Sequence, residues 1–243
     1  MQAHASLAGV TGVDDEAVAQ AAQVHSVYVY EAPVRLWHWV NALAITVLAI
    51  TGYFIGSPLP AVPGEASANF LMGYIRFAHF AAGYLLAVGL VGRAYWALVG
   101  NAHSRELFTL PVARPAYWKE VGAMLSWYLF LRARPNRYVG HNPLARLAMF
   151  FGYLLLTLFM IVTGFALYGE GAQEGSWSHG LFTSWVIPLF GGNSQTVHTW
   201  HHLGMWGIVI FVVLHVYAAI REDIMGRQSI VSTMISGYRT FKS

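Results

Sequence analysis

The stretch VHTWHHLGMWGIVIFVVLHVYAAI, residues 197–220, is long and apolar, yet it carries histidines near both of its ends. His201 and His215 are 14 positions apart. On an α-helix, 14 steps turn about 1400°, only about 40° short of four full turns, and rise about 21 Å. The two imidazoles therefore share one face of the helix at opposite ends of the segment.

Three further segments resemble this one in length and apolar character. Of 243 residues, 56% are hydrophobic and only 10% are charged, whereas about a quarter of the residues in soluble proteins are charged. A helix needs about 20 apolar residues to cross a hydrocarbon core of about 30 Å. The predicted spans are residues 36–56, 71–98, 148–167 and 197–220. The sequence therefore predicts an all-α fold, an integral membrane four-helix bundle formed by residues 35–243.

Basic residues indicate how the bundle is oriented, because Lys and Arg accumulate in cytoplasmic loops. The loop after the second span and the C-terminal tail carry many of them, whereas loops 57–70 and 168–196 carry none. Residues 1–34 also lack Lys and Arg, so we expect a polar cytoplasmic leader and no cleavable signal peptide. Both termini are predicted to be cytoplasmic. The net charge of +3 reflects this asymmetry and does not indicate nucleic-acid binding.

The orientation pairs the intramembrane histidines. His38 and His215 lie toward the cytoplasmic side and form an expected inner pair. His79 and His201 lie toward the opposite side and form an expected outer pair. His198 and His202 compete for the outer role, but relative to His215 they are rotated by about 100° and 140° on an ideal helix, so His201 is preferred.

The chain has no cysteine. This excludes a thioether-linked haem and a cysteine-ligated iron–sulfur cluster, so a metal centre must be held noncovalently by histidine. The two pairs predict two noncovalent haem b groups, with His38, His79, His201 and His215 as axial ligands of the iron.

Three arginines are candidate partners for haem propionates. Arg35 and Arg76 each stand one helical turn before a paired histidine, and Arg93 follows His79 by 14 residues. A snorkelling interfacial arginine is an equally good interpretation of Arg93. Glycines 83, 89 and 92 could let a flat macrocycle approach the second span, but small residues also mediate ordinary helix packing.

Several motifs carry a family resemblance. They are RLWHW at 35–39, TGYF at 51–54, VHTWHHLGMW at 197–206, HVY at 215–217, and the tail segments REDIM at 221–225 and TMISG at 233–237. Together they resemble the b-type cytochrome subunit of membrane-bound uptake nickel–iron hydrogenases, within the cytochrome b561 superfamily. The likeness covers roughly residues 28–243 and matches the four paired histidines to the family's haem ligands.

The resemblance implies a function in electron transfer and a location in the bacterial inner membrane. Such a subunit anchors the hydrogenase large (nickel–iron) and small (iron–sulfur) subunits at the periplasmic face and passes electrons from the small subunit to quinone. We expect quinone reduction near the inner pair, with Arg93, Tyr217, Glu222 and Asp223 as neighbours; the two carboxylates could equally be a solvated helix end. We expect docking at the outer loop 169–177 and the apolar run 181–190, which could also be an ordinary glycine-rich connection.

Two alternatives remain open at this point. The same fold occurs in formate dehydrogenase cytochrome subunits and in b561-type electron carriers, so the partner could differ. A histidine-lined metal-ion or proton transporter belongs to a different class of protein. The near absence of acidic residues from the spans disfavours it.

Overall fold

Four long helices contain the four apolar segments. The computed structural model describes residues 25–60, 64–65 and 69–241. The long helices are α1 (Ala32–Gly56), α2 (Leu71–Val99), α4 (Pro143–Glu170) and α6 (Ser194–Gly226). Each contains one predicted span and extends beyond it at one or both ends. At 1.5 Å per residue, all four are long enough to cross a hydrocarbon core of about 30 Å.

The outer surface of these helices is apolar. In the most hydrophobic stretch of each long helix, only 11% to 28% of the residues are buried inside the protein. Phe77, Val91 and Leu98 are each more than 70% exposed. A water-soluble bundle would bury such side chains, so this surface fits contact with lipid. The four predicted spans are thus confirmed as candidate membrane helices.

The long helices pack in a ring. α1 lies against α2 and α6, and α4 lies against α2 and α6. An asparagine side chain caps the N-terminus of two of these helices. Asn142 accepts a hydrogen bond from the Ala145 backbone at the start of α4, and Asn193 accepts one from the Gln195 backbone at the start of α6. Both are N-cap interactions, which satisfy backbone donors that a helix start leaves unpaired. The segment Met149–Leu155 of α4 is π-helical.

Two shorter helices lie in the connections between the long helices. α3 (Pro115–Tyr128) buries Tyr117, Val121, Met124 and Trp127, which recur every three or four residues and therefore lie on one face. The apolar run 181–190 begins in a π-helical turn, His179–Thr183, and continues as α5 (Ser184–Leu189). Neither segment is a candidate membrane span.

A small sheet, which the all-α prediction omits, joins the two ends of the described chain. β1 (His25–Tyr28) pairs antiparallel with β2 (Tyr238–Phe241), and α7 (Ile230–Ser236) precedes β2. Buried Arg239 holds this region by donating to the Tyr138 carbonyl at 3.2 Å. Residues 1–24 of the predicted leader lie outside the described residues, and residues 25–34 form β1 and the start of α1. Both ends of the described chain therefore lie at the same end of the bundle, where the inner pair is expected.

Candidate functional site

Two pairs of histidines meet inside the ring of long helices. The ring centroids of His38 on α1 and His215 on α6 are 6.3 Å apart. The ring centroids of His79 on α2 and His201 on α6 are 6.4 Å apart. All four side chains are half-buried. The structure therefore brings together the members of the expected inner pair and of the expected outer pair.

Both separations fit one metal ion between two imidazoles. A histidine nitrogen typically binds a first-row metal at about 2.0–2.1 Å, and the nitrogen lies about 1.1 Å from its ring centroid, so two opposed rings have centroids about 6.3 Å apart. In neither pair do the two imidazoles hydrogen-bond to each other. A bare metal ion needs more ligands than two. Within the described parts of the chain, no group of three or more His, Cys, Asp or Glu side chains is arranged so that it could hold a metal ion. A macrocycle that supplies the remaining four ligands fits this arrangement.

Two threonines, on the two helices that do not carry the outer pair, contact its imidazole rings. The hydroxyl of Thr51 on α1 lies 2.9 Å from Nδ1 of His79. The hydroxyl of Thr163 on α4 lies 2.8 Å from Nδ1 of His201. Each contact leaves Nε2 as the nitrogen available to a metal, and ligating histidines usually hydrogen-bond through their other nitrogen.

The inner pair has a more apolar surrounding. The His215 ring stacks on Phe211 at 5.7 Å between centroids, with the planes inclined by 14°. The His38 ring meets Trp39 edge-on at 5.0 Å. Nδ1 of His38 is buried and has no hydrogen-bond partner among the described residues. The two pairs therefore differ in their polar support.

The other two histidines of the VHTWHH motif point elsewhere. His198 is exposed. His202 stacks on Trp206, and a Cβ atom placed on Gly56 would lie 3.0 Å from the His202 ring. His202 is therefore packed against α1, away from the His79 ring.

The three predicted arginines have different environments. Arg93 is only 4% exposed and lies between the Trp37 and Phe108 rings, 5.5 Å and 5.4 Å from their centroids. Its Nε and Nη1 atoms have no hydrogen-bond partner among the residues described. A buried guanidinium with unpaired donors fits an anionic group such as a propionate, and not a snorkelling side chain. Arg35 donates to the Ile235 carbonyl, and Arg76 is exposed.

The glycines of α2 differ in their surroundings from the glycines beside the imidazoles. A Cβ atom on Gly83 or Gly89 would make ordinary contact with Leu48 or Trp37 of α1, as in helix packing, and one on Gly92 would meet no described atom within 4 Å. In contrast, a Cβ atom on Gly52 or Gly164 would lie 3.3 Å from Cε1 of an outer-pair histidine.

The candidate quinone neighbours occupy a polar region at the inner end. Glu222 is half-buried and accepts hydrogen bonds from the Tyr128 hydroxyl, at 2.6 Å, and from the Asn142 amide. Asp223 accepts from the Val231 backbone at the start of α7, and Tyr217 is exposed. Glu222 is thus more than a solvated helix end, whereas the contact of Asp223 is structural.

A hydrogen-bonded chain at the same end was not expected from the sequence. Glu106 bridges His103 and His141, with an oxygen 2.7 Å from Nδ1 of each ring, and the His141 ring also contacts the Tyr30 hydroxyl at 2.9 Å. Burial raises the pKa of Glu106, but hydrogen bonds and charge from His141, with help from His103, outweigh burial and lower that pKa to about 2. His103 and Glu106 are near neighbours in sequence, but His141 and Tyr30 come from two other segments, so no sequence spacing could indicate their contacts.

Comparison with known proteins identifies close relatives. The family described as prokaryotic cytochrome b561 matches residues 29–237. A Cupriavidus necator protein named "Probable Ni/Fe-hydrogenase B-type cytochrome subunit" is 70% identical over 236 residues, covering 97% of this chain and 96% of the relative. An Azotobacter vinelandii protein of the same name is 64% identical over 217 residues, covering 89% and 90%. The Escherichia coli K12 "Probable Ni/Fe-hydrogenase 1 B-type cytochrome subunit" is 53% identical over 219 residues, covering 90% and 93%.

Proposed function

Since this chain belongs to the prokaryotic cytochrome b561 family, we propose that it is the two-haem membrane subunit that carries electrons from a periplasm-facing nickel–iron hydrogenase to quinone. Family membership implies haem b and electron transfer in a membrane. The names of the relatives support hydrogenase as the partner. The single observation that carries the two-haem proposal is the presence of two imidazole pairs with centroids 6.3 Å and 6.4 Å apart.

The chain's own residues determine what each site does. His38 and His215 would hold the inner haem, with buried Arg93 as the candidate partner of a propionate. His79 and His201 would hold the outer haem. Haem b held by these imidazole pairs would supply one-electron exchange between ferric and ferrous iron. The helix α6 contributes to both sites, and the 14-residue spacing of His201 and His215 separates these two residues by about 21 Å along the helix axis.

We place quinone reduction at the inner end. Protonatable groups are concentrated there. They are the hydrogen-bonded carboxylate of Glu222 and the hydrogen-bonded side chains that link Tyr30 to His103 through His141 and Glu106. Quinone takes up two electrons and two protons to become quinol, so a supply of protons is required at its site. With the basic loops in the cytoplasm, these protons would come from the cytoplasm.

We place the hydrogenase at the opposite end, on loop 169–177 and the segment 181–190. Glu170 and Glu174 give this loop a negative charge, and the loop contains no basic residue. Exposed Leu181, Trp185 and Leu189 provide apolar contact surface nearby. Charged rims around aromatic and aliphatic residues are typical of protein interfaces. The iron–sulfur small subunit would dock here, with the nickel–iron large subunit attached to it.

The alternatives differ in what supports them. A metal-ion transporter would need clusters of ligands, and no group of three or more His, Cys, Asp or Glu side chains among the described residues could hold a metal ion. A formate dehydrogenase subunit would fit the same geometry, but the names of the relatives support hydrogenase.

The complex reconstituted in proteoliposomes, with hydrogenase facing outward, tests the proposal. Hydrogen oxidation with added quinone should generate a membrane potential that is negative inside, because electrons move inward while protons from hydrogen remain outside. His215→Ala should abolish quinone reduction, and hydrogen should still reduce the remaining haem. His202→Ala is the matched control and should behave as wild type. Electroneutral turnover, or wild-type quinone reduction by His215→Ala, would contradict the proposal.

A further inference from the structure

The hydroxyl of Thr51 can only accept a hydrogen bond from His79. Thr51 Oγ1 donates its single hydrogen to the Val47 carbonyl, 2.6 Å away and one turn earlier on α1. The same oxygen lies 2.9 Å from Nδ1 of His79. Because a hydroxyl has one hydrogen and two lone pairs, Nδ1 must be the donor in this contact. The hydrogen of a neutral His79 ring is therefore on Nδ1, and the lone pair is on Nε2.

The same arrangement occurs independently on α4. Thr163 Oγ1 donates to the Phe159 carbonyl at 2.7 Å and lies 2.8 Å from Nδ1 of His201. The tautomer of His201 is therefore fixed in the same way. Two helices that do not themselves carry the outer-pair histidines thus hold Nδ1 of both rings and leave Nε2 of both rings without a threonine contact.

A glycine follows each threonine and brings the helix backbone close to the ring. A Cβ atom on Gly52 would lie 3.3 Å from Cε1 of His79, and one on Gly164 would lie 3.3 Å from Cε1 of His201. Such distances are tighter than ordinary van der Waals contact. The dipeptides Thr51-Gly52 and Thr163-Gly164 therefore form two equivalent cradles, each with a hydrogen-bond acceptor and an open backbone surface.

The inner pair has no equivalent cradle in the part of the chain described. Nδ1 of His38 is buried without a hydrogen-bond partner there, and His215 packs on the Phe211 ring. The difference between the pairs is therefore one of hydrogen bonding, because their centroid separations are nearly the same.

We propose that Thr51 and Thr163 are positioning residues that fix the tautomer of the outer-pair imidazoles and lower the reduction potential of the outer haem. This inference rests on the proposed two-haem function. A hydrogen bond from Nδ1 makes Nε2 a stronger electron donor, which stabilises ferric iron over ferrous iron. Loss of either hydroxyl should therefore raise the midpoint potential of the same haem, although the two threonines lie on different helices.

The variants Thr51→Val and Thr163→Val keep the shape of the side chain and remove the acceptor. Both substitutions should raise the midpoint potential of the same haem. Thr46→Val is the matched control. Thr46 lies on α1 and donates to the carbonyl of Ala42 at 2.9 Å, and it makes no hydrogen bond to a histidine among the described residues. Thr163→Ser retains the hydroxyl and should restore the wild-type value.

A redox titration of the purified full chain, followed through the optical absorbance of the two haems, tests this inference. One of two components should move upward in both valine variants, and neither should move in Thr46→Val or Thr163→Ser. If Thr163→Val fails to accumulate, Thr51→Val and Thr163→Ser still give the required comparison. Unchanged potentials in the valine variants, shifts of different components, or an equal shift in Thr46→Val would overturn the inference. A wild-type chain without two haems would instead refute the proposed function.

Discussion

His201 and His202 are consecutive residues of α6, yet only His201 faces the His79 ring. His202 stacks on Trp206 and lies against Gly56 of α1. The step of about 100° between neighbouring helical residues produces this difference. It distinguishes a candidate ligand from a packing residue within one dipeptide.

His201→Ala should therefore remove the outer haem and leave the inner one. His202→Ala should retain both, because its ring does not face a second imidazole in the described structure. Pyridine haemochrome assays of the two purified variants measure the difference as about half and full haem content. Loss of haem in His202→Ala with full content in His201→Ala would reverse the assignment.

Arg93→Met should lower the midpoint potential of the inner haem and weaken its retention. The guanidinium of Arg93 is buried with unpaired donors, and a nearby positive charge favours the ferrous state over the ferric state. Redox titration and haem retention on dilution measure the two effects. Arg114→Met, which removes an exposed arginine outside the long helices, is the control. Equal behaviour of the two variants would show that Arg93 does not act on a haem.

Much of this site could be predicted because it depends on helix periodicity. The 14-residue spacing of His201 and His215 requires only that α6 be a continuous helix, and apolar length together with charge asymmetry then indicates which histidines meet. The threonine cradles were missed because a threonine in a helix normally bonds to its own backbone. Its second contact, to a ring on another helix, depends on how the helices are rotated, which the sequence pattern does not specify.

The ends of the chain were also difficult to predict. Strands β1 and β2 have four residues each and lie near opposite ends of the sequence. Each is too short for its residue pattern to predict a strand, and nothing local indicates its partner. The contact of Glu106 with His141 likewise joins two loops that are 35 residues apart in sequence.

Gly164→Ala should reduce occupancy of the outer haem without loss of helix. The new methyl group would lie 3.3 Å from Cε1 of His201 and would displace that ring by a few tenths of an ångström. Alanine itself favours helix over glycine by about 1 kcal/mol, so α4 should persist. Haem content and circular dichroism measure the two properties separately.

Gly122→Ala is the control, because a Cβ atom at that position of α3 meets no described atom within 4 Å. Full outer-haem content in Gly164→Ala would show that the close backbone approach is not required.

Acid should weaken the inner end only below about pH 4.5. The pKa of Glu106 falls from 4.5 in its ordinary state to about 2 in the folded chain. A lowered folded-state pKa adds stability that is fully present above the unfolded value and is lost as the pH falls through the folded value. The temperature at which haem absorbance is lost should therefore be level from pH 7 to 4.5 and decline toward pH 2.

Glu106→Gln should reduce that temperature at pH 7 and flatten the decline below pH 4.5. Removing a charged hydrogen-bond acceptor costs about 1.5–3 kcal/mol. The exposed Glu120→Gln is the matched control. An acid profile of Glu106→Gln identical to that of wild type would contradict this role.

Replacing residues 171–175 with a glycine–serine linker of equal length should release hydrogenase activity from the membrane. The loop is exposed over most of its length, whereas the adjacent Trp177 ring packs on Phe165 at 5.3 Å and should keep the helix ends in place. Hydrogen-dependent dye reduction should appear in the soluble fraction, with haem content of the membrane subunit unchanged. Normal co-purification of hydrogenase with this variant would exclude the loop as the docking site.

The haem content of the purified wild-type chain tests the central claim most directly. Two imidazole pairs and no cysteine predict two haem b groups per chain, extractable by acidified solvent because neither is covalently attached. A pyridine haemochrome assay combined with quantitative amino-acid analysis should give a haem-to-protein ratio of about two. A ratio of one or zero, or haem that stays with the protein after extraction, would contradict the account.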